Sequence, residues 1–208
     1  MKSARLVVGL TGGIGTGKSS VLKAFGRLGA ATVSLDQIAH EQAKPGRPAY
    51  KRIVRDFGSC ILNNDGTIDR ALLGRVVFSD KRARAGLERA THPLILKEMK
   101  RQVGKKKGIV VVDVPLLFEK KLQKEFDATI VIACKHDKQI KRIVSRDGVN
   151  SAEARRRIAA QLPLAKKVSM ADLTIHNDKT PHHLSAKVRE YYLGLELIHR
   201  GSSHGNAD

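Results

Sequence analysis

Tryptophan is absent, and aromatic residues make up only 4% of the 208-residue chain. Proteins that hold single-stranded nucleic acid by stacking interleave aromatics with basic clusters, and the tyrosines and phenylalanines here are not so placed. Cysteine is scarce as well. Cys60 and Cys134 stand in unrelated contexts, which argues against a disulfide framework or a zinc site. His182-His183 has no partners at metal-ligand spacing. Long apolar runs are missing: the longest, Ile109–Phe118, contains Asp113 and Pro115 and is too short to span a bilayer. No charged-then-apolar leader opens the chain, because its first apolar residues belong to a strand. A soluble, cytoplasmic protein with no membrane partner is expected. Acidic residues are also in short supply, 20 against 39 lysines and arginines, for a net charge of +19. Such a surplus attracts anions, either nucleic acid or a small, highly phosphorylated substrate.

Glycine, by contrast, is concentrated in one place. Gly9–Ser20 reads GLTGGIGTGKSS, with five glycines in twelve residues. It matches G-x-x-x-x-G-K-[ST] in full: Gly12, four residues, Gly17, Lys18, Ser19. A loop that wraps phosphates points successive backbone N–H groups inward, and side chains there would block the approach. Lys18 reaches the outer phosphates and Ser19 ligates Mg²⁺. The helix that begins here adds the positive end of its dipole. A short strand, Leu6–Leu10, runs in. A helix with Val21, Leu22, Phe25 and Leu28 on one face runs out and stops at Gly29. A dinucleotide fingerprint is excluded, since it would need glycine where Lys18 stands. The loop therefore holds a nucleoside triphosphate.

Further strand-like runs are Ala31–Leu35, Ile109–Val112, Ala128–Ala133 and Leu173–His176. Several are continuous Val/Ile/Leu runs, as in parallel strands buried on both faces. Five strands with intervening helices make an open α/β sheet. The long gap between the second and third strands carries two helical stripes, Ala49-Tyr50-Ile53-Val54-Phe57 and Leu72-Leu73-Val76-Val77, around the turn Asn63-Asn64-Asp65-Gly66. A second insertion, His136–Lys167, holds the turn Asp147-Gly148 and a helix capped by Asn150 with Glu153 three residues on. The chain after Leu197, ending HRGSSHGNAD, is expected to be disordered.

Asp36 is placed at the end of the second strand, where ligands of open α/β sheets bind. It can take a proton from an attacking hydroxyl or contact the metal, and a helix N-cap for Gln37–Ala43 is a compatible role. Asp113 ends the third strand after four apolar residues, the pattern of a carboxylate that supports the hydration shell of Mg²⁺. The apolar residues of Pro115-Leu116-Leu117-Phe118-Glu119 read equally as core. Arg142 and Arg146 share one helix face at i and i+4. On a lid they would neutralise charge over the phosphates; on a solvated basic face they would do nothing specific. A lone histidine such as His92 is more often structural than a ligand. Arg155-Arg156-Arg157 and Lys105-Lys106-Lys107 read as solvated charge.

Taken in order, these residues resemble one family, dephospho-coenzyme A kinase, from Leu10 to about Val188. LTGGIGTGKS looks like its loop. Asp36-Gln37-Ile38-Ala39-His40, then Pro45-Gly46 and Ala49, resemble its second-strand segment and the entry to its helical insertion. Asp65-Gly66, Ile68, Arg70, Leu73 and Phe78 are similar to its central pattern, and His92-Pro93-Leu94-Ile95 to its "HPLI". Asp113–Glu119 is similar to its "PLLFE" segment. Gln139, Arg142, Arg146 and Asp147 are similar to its lid. Arg157-Ile158, Gln161, Ala171-Asp172 and Ile175-His176-Asn177 are similar to its last signatures.

The resemblance implies a phosphate-loop NTPase fold of three αβα layers around a five-stranded parallel sheet. It implies a core of residues 1–36, 108–135 and 168–200, an acceptor-binding helical insertion 37–107, a lid 136–167 and a tail 201–208. It implies transfer of the γ-phosphoryl of ATP to the 3′-hydroxyl of the ribose of dephospho-CoA, the last step of coenzyme A synthesis. Carried over by position, Asp36 is the base, and Lys18 and Arg142 hold the transferring phosphoryl. Gly13, Gly15, Thr16, Gly17, Lys18, Ser19, Ser20, Arg146 and Asn177 bind ATP. Asp36, His92, Pro115, Leu116 and Leu117 bind the acceptor. Ser19 and, through water, Asp113 hold Mg²⁺. Transfer is expected to be direct and in line, with lid closure bringing in Arg142 and excluding water. A monomer or weak homo-oligomer without a specific nucleic-acid partner is expected.

One departure is Ser34, where many members have a second aspartate two residues before the base. Strand alternation would put both on one face, with only the terminal residue at the ligand. The remaining readings are another small-molecule kinase with a nucleoside or nucleotide acceptor, and a nucleic-acid-binding ATPase suggested by the charge.

Overall fold

The computed structural model describes residues 5–204. Its sheet is built from β1 (Arg5–Gly12), β2 (Ala31–Ser34), β3 (Gly108–Asp113), β4 (Ala128–Ala133) and β5 (Leu173–His176), in the order β2-β3-β1-β4-β5. The strands are parallel, as their unbroken apolar runs imply. Successive strand side chains point to opposite faces. In β3, Ile109 and Val111 are buried, and so are Val110 and Val112, which alternate with them, so both faces of the sheet are covered.

One face packs on α1 (Lys18–Arg27) and α9 (Pro181–His204), whose Val21, Phe25, Leu184, Val188 and Leu195 close over Val8, Leu10, Ile130, Ile132 and Ile175. Against the sheet, Gly9 leaves room for Leu117 and Phe126: a Cβ there would lie 2.7 Å from Leu117 and 2.8 Å from Phe126. Asp127 and Asp172 fix the strand starts. Asp127 accepts from the Val7 N–H at 2.7 Å, and Asp172 accepts from both the N–H and the hydroxyl of Thr129 at 2.7 Å. The C-terminal helix continues through Gly201 to His204, into the stretch expected to be disordered. The last part of that expectation, residues 205–208, lies outside the described residues.

The chain forms two compact units. One takes the chain up to Val33 and resumes at Lys106; the other is Ser34–Lys105. The second is helical: α2 (Leu35–Gln42), α3 (Pro48–Phe57), α4 (Arg70–Ser79) and α5 (Lys81–Gly104). Its small core is Ile53, Ile61, Ile68 and Leu73, ringed by Tyr50, Phe57 and Val77. The anticipated stripes on α3 and α4 supply Ile53 and Leu73 of that core, and Ile61 and Ile68 come from the segment between the two helices. The turn between them is closed by Asp65, which accepts from the Thr67 N–H at 2.9 Å.

The segment 136–170 forms α6 (His136–Asp147), α7 (Ser151–Ala159) and α8 (Leu164–Met170), and belongs to the same unit as the sheet. Asn150 caps α7, accepting from the Glu153 N–H at 2.8 Å, as its spacing indicated. Ile140, Ile143 and Ala154 make a core of their own with Ile14 packed against it.

Candidate active site

β1 lies at the middle of the sheet and delivers the chain into residues 13–17, after which α1 begins at Lys18. The sharp path depends on two glycines with left-handed backbone, Gly15 (φ 77°) and Gly17 (φ 91°). Both are also crowded. A Cβ on Gly15 would lie 2.8 Å from the Gln139 carbonyl, and one on Gly17 would strike the Asn177 amide. The loop is closed from inside by Thr16, whose N–H and hydroxyl both donate to the Gly13 carbonyl, at 3.2 and 2.8 Å. The Thr16 side chain is thus fully buried and spent on the loop itself.

From outside, the loop carbonyls are tied to distant residues. Arg142 donates to the Gly15 and Thr16 carbonyls at 3.3 and 3.1 Å, and to the Asn177 carbonyl at 3.2 Å. The Asn177 amide donates to the Thr16 carbonyl at 2.8 Å. Gln139 and Gln161 both bond to Ile14. Cys134 sits beneath, its thiol 4.0 Å from the Gly15 carbonyl, and burial pushes that thiol up from its ordinary range.

The Lys18 ammonium forms an ion pair with the Asp113 carboxylate, and both side chains are largely buried. The parallel register explains the meeting. Leu10 of β1 sits opposite Asp113 of β3, so the carboxylate lies beside the entry to the loop. Ser19 and Ser20 follow on the exposed first turn of α1. The structure therefore brings together Gly13, Gly15, Thr16, Gly17, Lys18, Ser19, Ser20, Asp113, Arg142 and Asn177.

Arg146 departs from that group. One turn along α6 from Arg142, it is 62% exposed and donates to Asp147 at 2.6 Å, holding that carboxyl below its usual range. Asp147 also receives Arg157 at 2.9 Å, and Arg156 and Arg157 reach Glu153. Part of the triple-arginine run is thus ion-paired rather than simply solvated. Of Pro115, Leu116 and Leu117, the last is fully buried in the core, while the first two keep exposed surface.

Within the helical unit, Asp36 does not end a strand. β2 stops at Ser34, and Asp36 sits in the first turn of α2. The N-cap of that helix is Ser34, whose hydroxyl accepts from the Gln37 N–H at 3.3 Å, not Asp36. Alternation along one strand therefore does not relate the two residues. A serine at 34 supplies a cap hydroxyl, and the helix dipole favours the carboxylate at 36 in its first turn. His92 lies mid-way along α5, half-buried, just before Pro93. Among the described residues no cluster of three or more histidine, cysteine or carboxylate side chains could hold a metal ion.

The parallel sheet and its glycine loop define a class: a phosphate-loop α/β protein built to hold a nucleoside triphosphate. A shikimate kinase from Bacteroides thetaiotaomicron shares the fold, with TM-score 0.55 at 18% identity over 92% of this chain and 98% of that one. The dephospho-CoA kinase family model matches residues 6–182. The chain is 42% identical to the dephospho-CoA kinase of Carboxydothermus hydrogenoformans, over 82% of this chain and 85% of the relative. It is 43% identical to that of Bacillus anthracis, over 84% and 90%. A solved Thermus thermophilus protein superimposes with TM-score 0.81 at 26% identity, covering 92% of this chain and 98% of the other.

The chain belongs to the dephospho-CoA kinase family. It is accordingly a kinase that uses ATP to phosphorylate dephospho-CoA in coenzyme A biosynthesis.

Proposed function

We propose that the chain transfers the γ-phosphoryl of ATP directly to the 3′-hydroxyl of the ribose of dephospho-CoA, with no phosphoenzyme between. Phosphoryl transfer through a loose transition state asks the protein for position and charge stabilisation rather than covalent chemistry. The observation that carries this reading is the joint placement of a left-handed glycine cradle, Lys18, Ser19 and Asp113 at the ends of β1 and β3.

In this reading the N–H groups of Gly15, Gly17, Lys18 and Ser19 receive the phosphates. Lys18 exchanges part of its pairing with Asp113 for the outer phosphates. The Ser19 hydroxyl and, through water, Asp113 would hold Mg²⁺, which would supply charge neutralisation at the outer phosphates. Arg142 and Asn177, already fixed to each other and to the loop, flank the nucleotide, and Arg142 contributes positive charge near the transferring group. Asp36 accepts the proton of the attacking hydroxyl. Residues 34–105 carry the acceptor, with His92, Pro115 and Leu116 as further contacts. The enzyme works in the cytoplasm, as a monomer or weak homo-oligomer, without a specific nucleic-acid partner. No described helix is long and apolar enough to cross a membrane.

The test is steady-state kinetics of Asp36→Asn with ATP, Mg²⁺ and dephospho-CoA. The expected outcome is a loss of about 100-fold or more in kcat with KM for ATP little changed. Near-wild-type turnover would remove Asp36 from the chemistry. ADP released equally with and without acceptor would make the protein an ATPase.

A further inference from the structure

Ile14 is the one bulky residue in the stretch from Gly12 to Gly17, and both of its main-chain groups are gripped by side chains. Gln161, between α7 and α8, accepts from the Ile14 N–H at 2.9 Å. Gln139, on α6 and 2% exposed, donates to the Ile14 carbonyl at 2.8 Å. The two glutamines arrive from separate segments, 125 and 147 residues away in the chain.

The segment that carries Gln161 is itself pinned. Glu119 accepts from the Leu162 N–H at 3.3 Å, and the same oxygen faces the Lys167 ammonium at 2.7 Å. Lys167 is fully buried, and the other Glu119 oxygen has no hydrogen-bond partner among the described residues. A buried ion pair is a costly way to gain stability, so its better-attested use is to specify one arrangement.

Peptide planarity turns these grips into a statement about phosphate binding. In a trans peptide, the carbonyl of one residue and the N–H of the next point in opposite directions. Holding the Ile14 carbonyl on Gln139 aims the Gly15 N–H to the other side. Holding the Thr16 carbonyl on Arg142 and Asn177 does the same for the Gly17 N–H. The Gln161 bond occupies the Ile14 N–H, which then cannot compete for the ligand. Glycine alone would leave these peptide planes free to rotate.

We propose that Gln139 and Gln161 are positioning residues that act as a clip on Ile14, turning the loop's amides toward the phosphates before ATP arrives, and that the Glu119–Lys167 pair sets where Gln161 sits. This rests on the reading of residues 12–19 as the ATP site, and not on the identity of the acceptor.

The experiment measures ATP dissociation constants by titration without acceptor, for the wild type, Gln139→Met, Gln161→Met and the double variant. Each single change should weaken ATP by about 3- to 10-fold, the range of one lost hydrogen bond. KM for dephospho-CoA should move less than about 2-fold in the same variants. The double variant should lose less than the product of the singles, because either glutamine alone half-releases one residue. Glu119→Gln/Lys167→Met, which removes both buried charges together, should weaken ATP in the same direction. Folded variants with wild-type ATP affinity, or losses confined to acceptor KM, would overturn the proposal. If a variant does not fold, the wild type still decides it. Its Ile14 amide proton should exchange slowly before any nucleotide is added, and exchange at the rate of an open loop would overturn the clip. ATP weakened as expected in a chain that phosphorylates some other acceptor would sustain the clip and sink the acceptor reading.

Discussion

The nucleotide-binding unit and the helical unit are built around cores of different size. In the first, Val8, Leu10, Ile130, Ile132 and Ile175 are buried within a sheet covered on both faces, and the phosphate loop is tied by side chains of α6, Gln161 and Asn177. In the second, Ile53, Ile61, Ile68 and Leu73 form a small core, Phe78 is 87% exposed, and the surface carries ion pairs such as Lys44–Glu41 and Arg101–Glu98, each worth little. The contrast teaches a division of labour. Phosphates demand fixed dipoles, which a rigid frame supplies. If residues 34–105 carry the acceptor as proposed, a unit with so small a core would open more readily for a long ligand to enter and leave.

The largest break in this comparison is expected from Lys18→Ala. It removes the Lys18 ammonium beside the loop and should lower kcat/KM by about 10³-fold, measured by acceptor-dependent ADP release. It also leaves Asp113 without its ion-pair partner. The stability side is sharpened by Ile53→Ala, a cut in the small core, which should cost about 3 kcal/mol. Hydrogen exchange should then show amides of residues 34–105 opening while those of β1 and β4 keep their protection. Equal loss in both units would mean that they unfold as one.

The smallest effect concerns Glu98. Hydrogen bonds from Arg101 and then Gln102 hold its carboxyl down at about 2, from an ordinary 4.5. A folded-state value below the unfolded one means the group stabilises above about 4.5 and loses that contribution as pH falls toward 2. Glu98→Gln should therefore flatten the acid limb of the thermal midpoint. At neutral pH it should cost about 1 kcal/mol, after allowance for solvent screening of this partly exposed pair.

Much of this organisation was legible in the chain itself. Ala128–Ala133 and Leu173–His176 are strands at the bounds their apolar runs suggested, because buried parallel strands leave an unbroken β-branched signal. The glycine loop was legible for the same local reason: its conformation needs particular residue types at particular spacings. What failed to show was whatever depends on partners far along the chain. One miss is local: Leu35 continues the apolar run of β2, yet the backbone enters a helix there, capped by the Ser34 hydroxyl. Arg142 and Arg146 look equivalent at i and i+4, but only the first meets the loop, while Asp147 draws off the second. Leu117 reads as readily as a contact for substrate as for core, and the room left by Gly9 decides for the core. Gln139 and Gln161 were visible only as matches to the family's pattern; their meeting at Ile14 is a tertiary fact.

The most direct measurement is the product itself. The chain is incubated with ATP, Mg²⁺ and dephospho-CoA, and the product is read by mass and by phosphorus NMR. The account predicts coenzyme A carrying a new monoester on the ribose 3′-oxygen, with one ADP formed for each. A phosphate at another position, or ADP formed without any change in the acceptor, would contradict it.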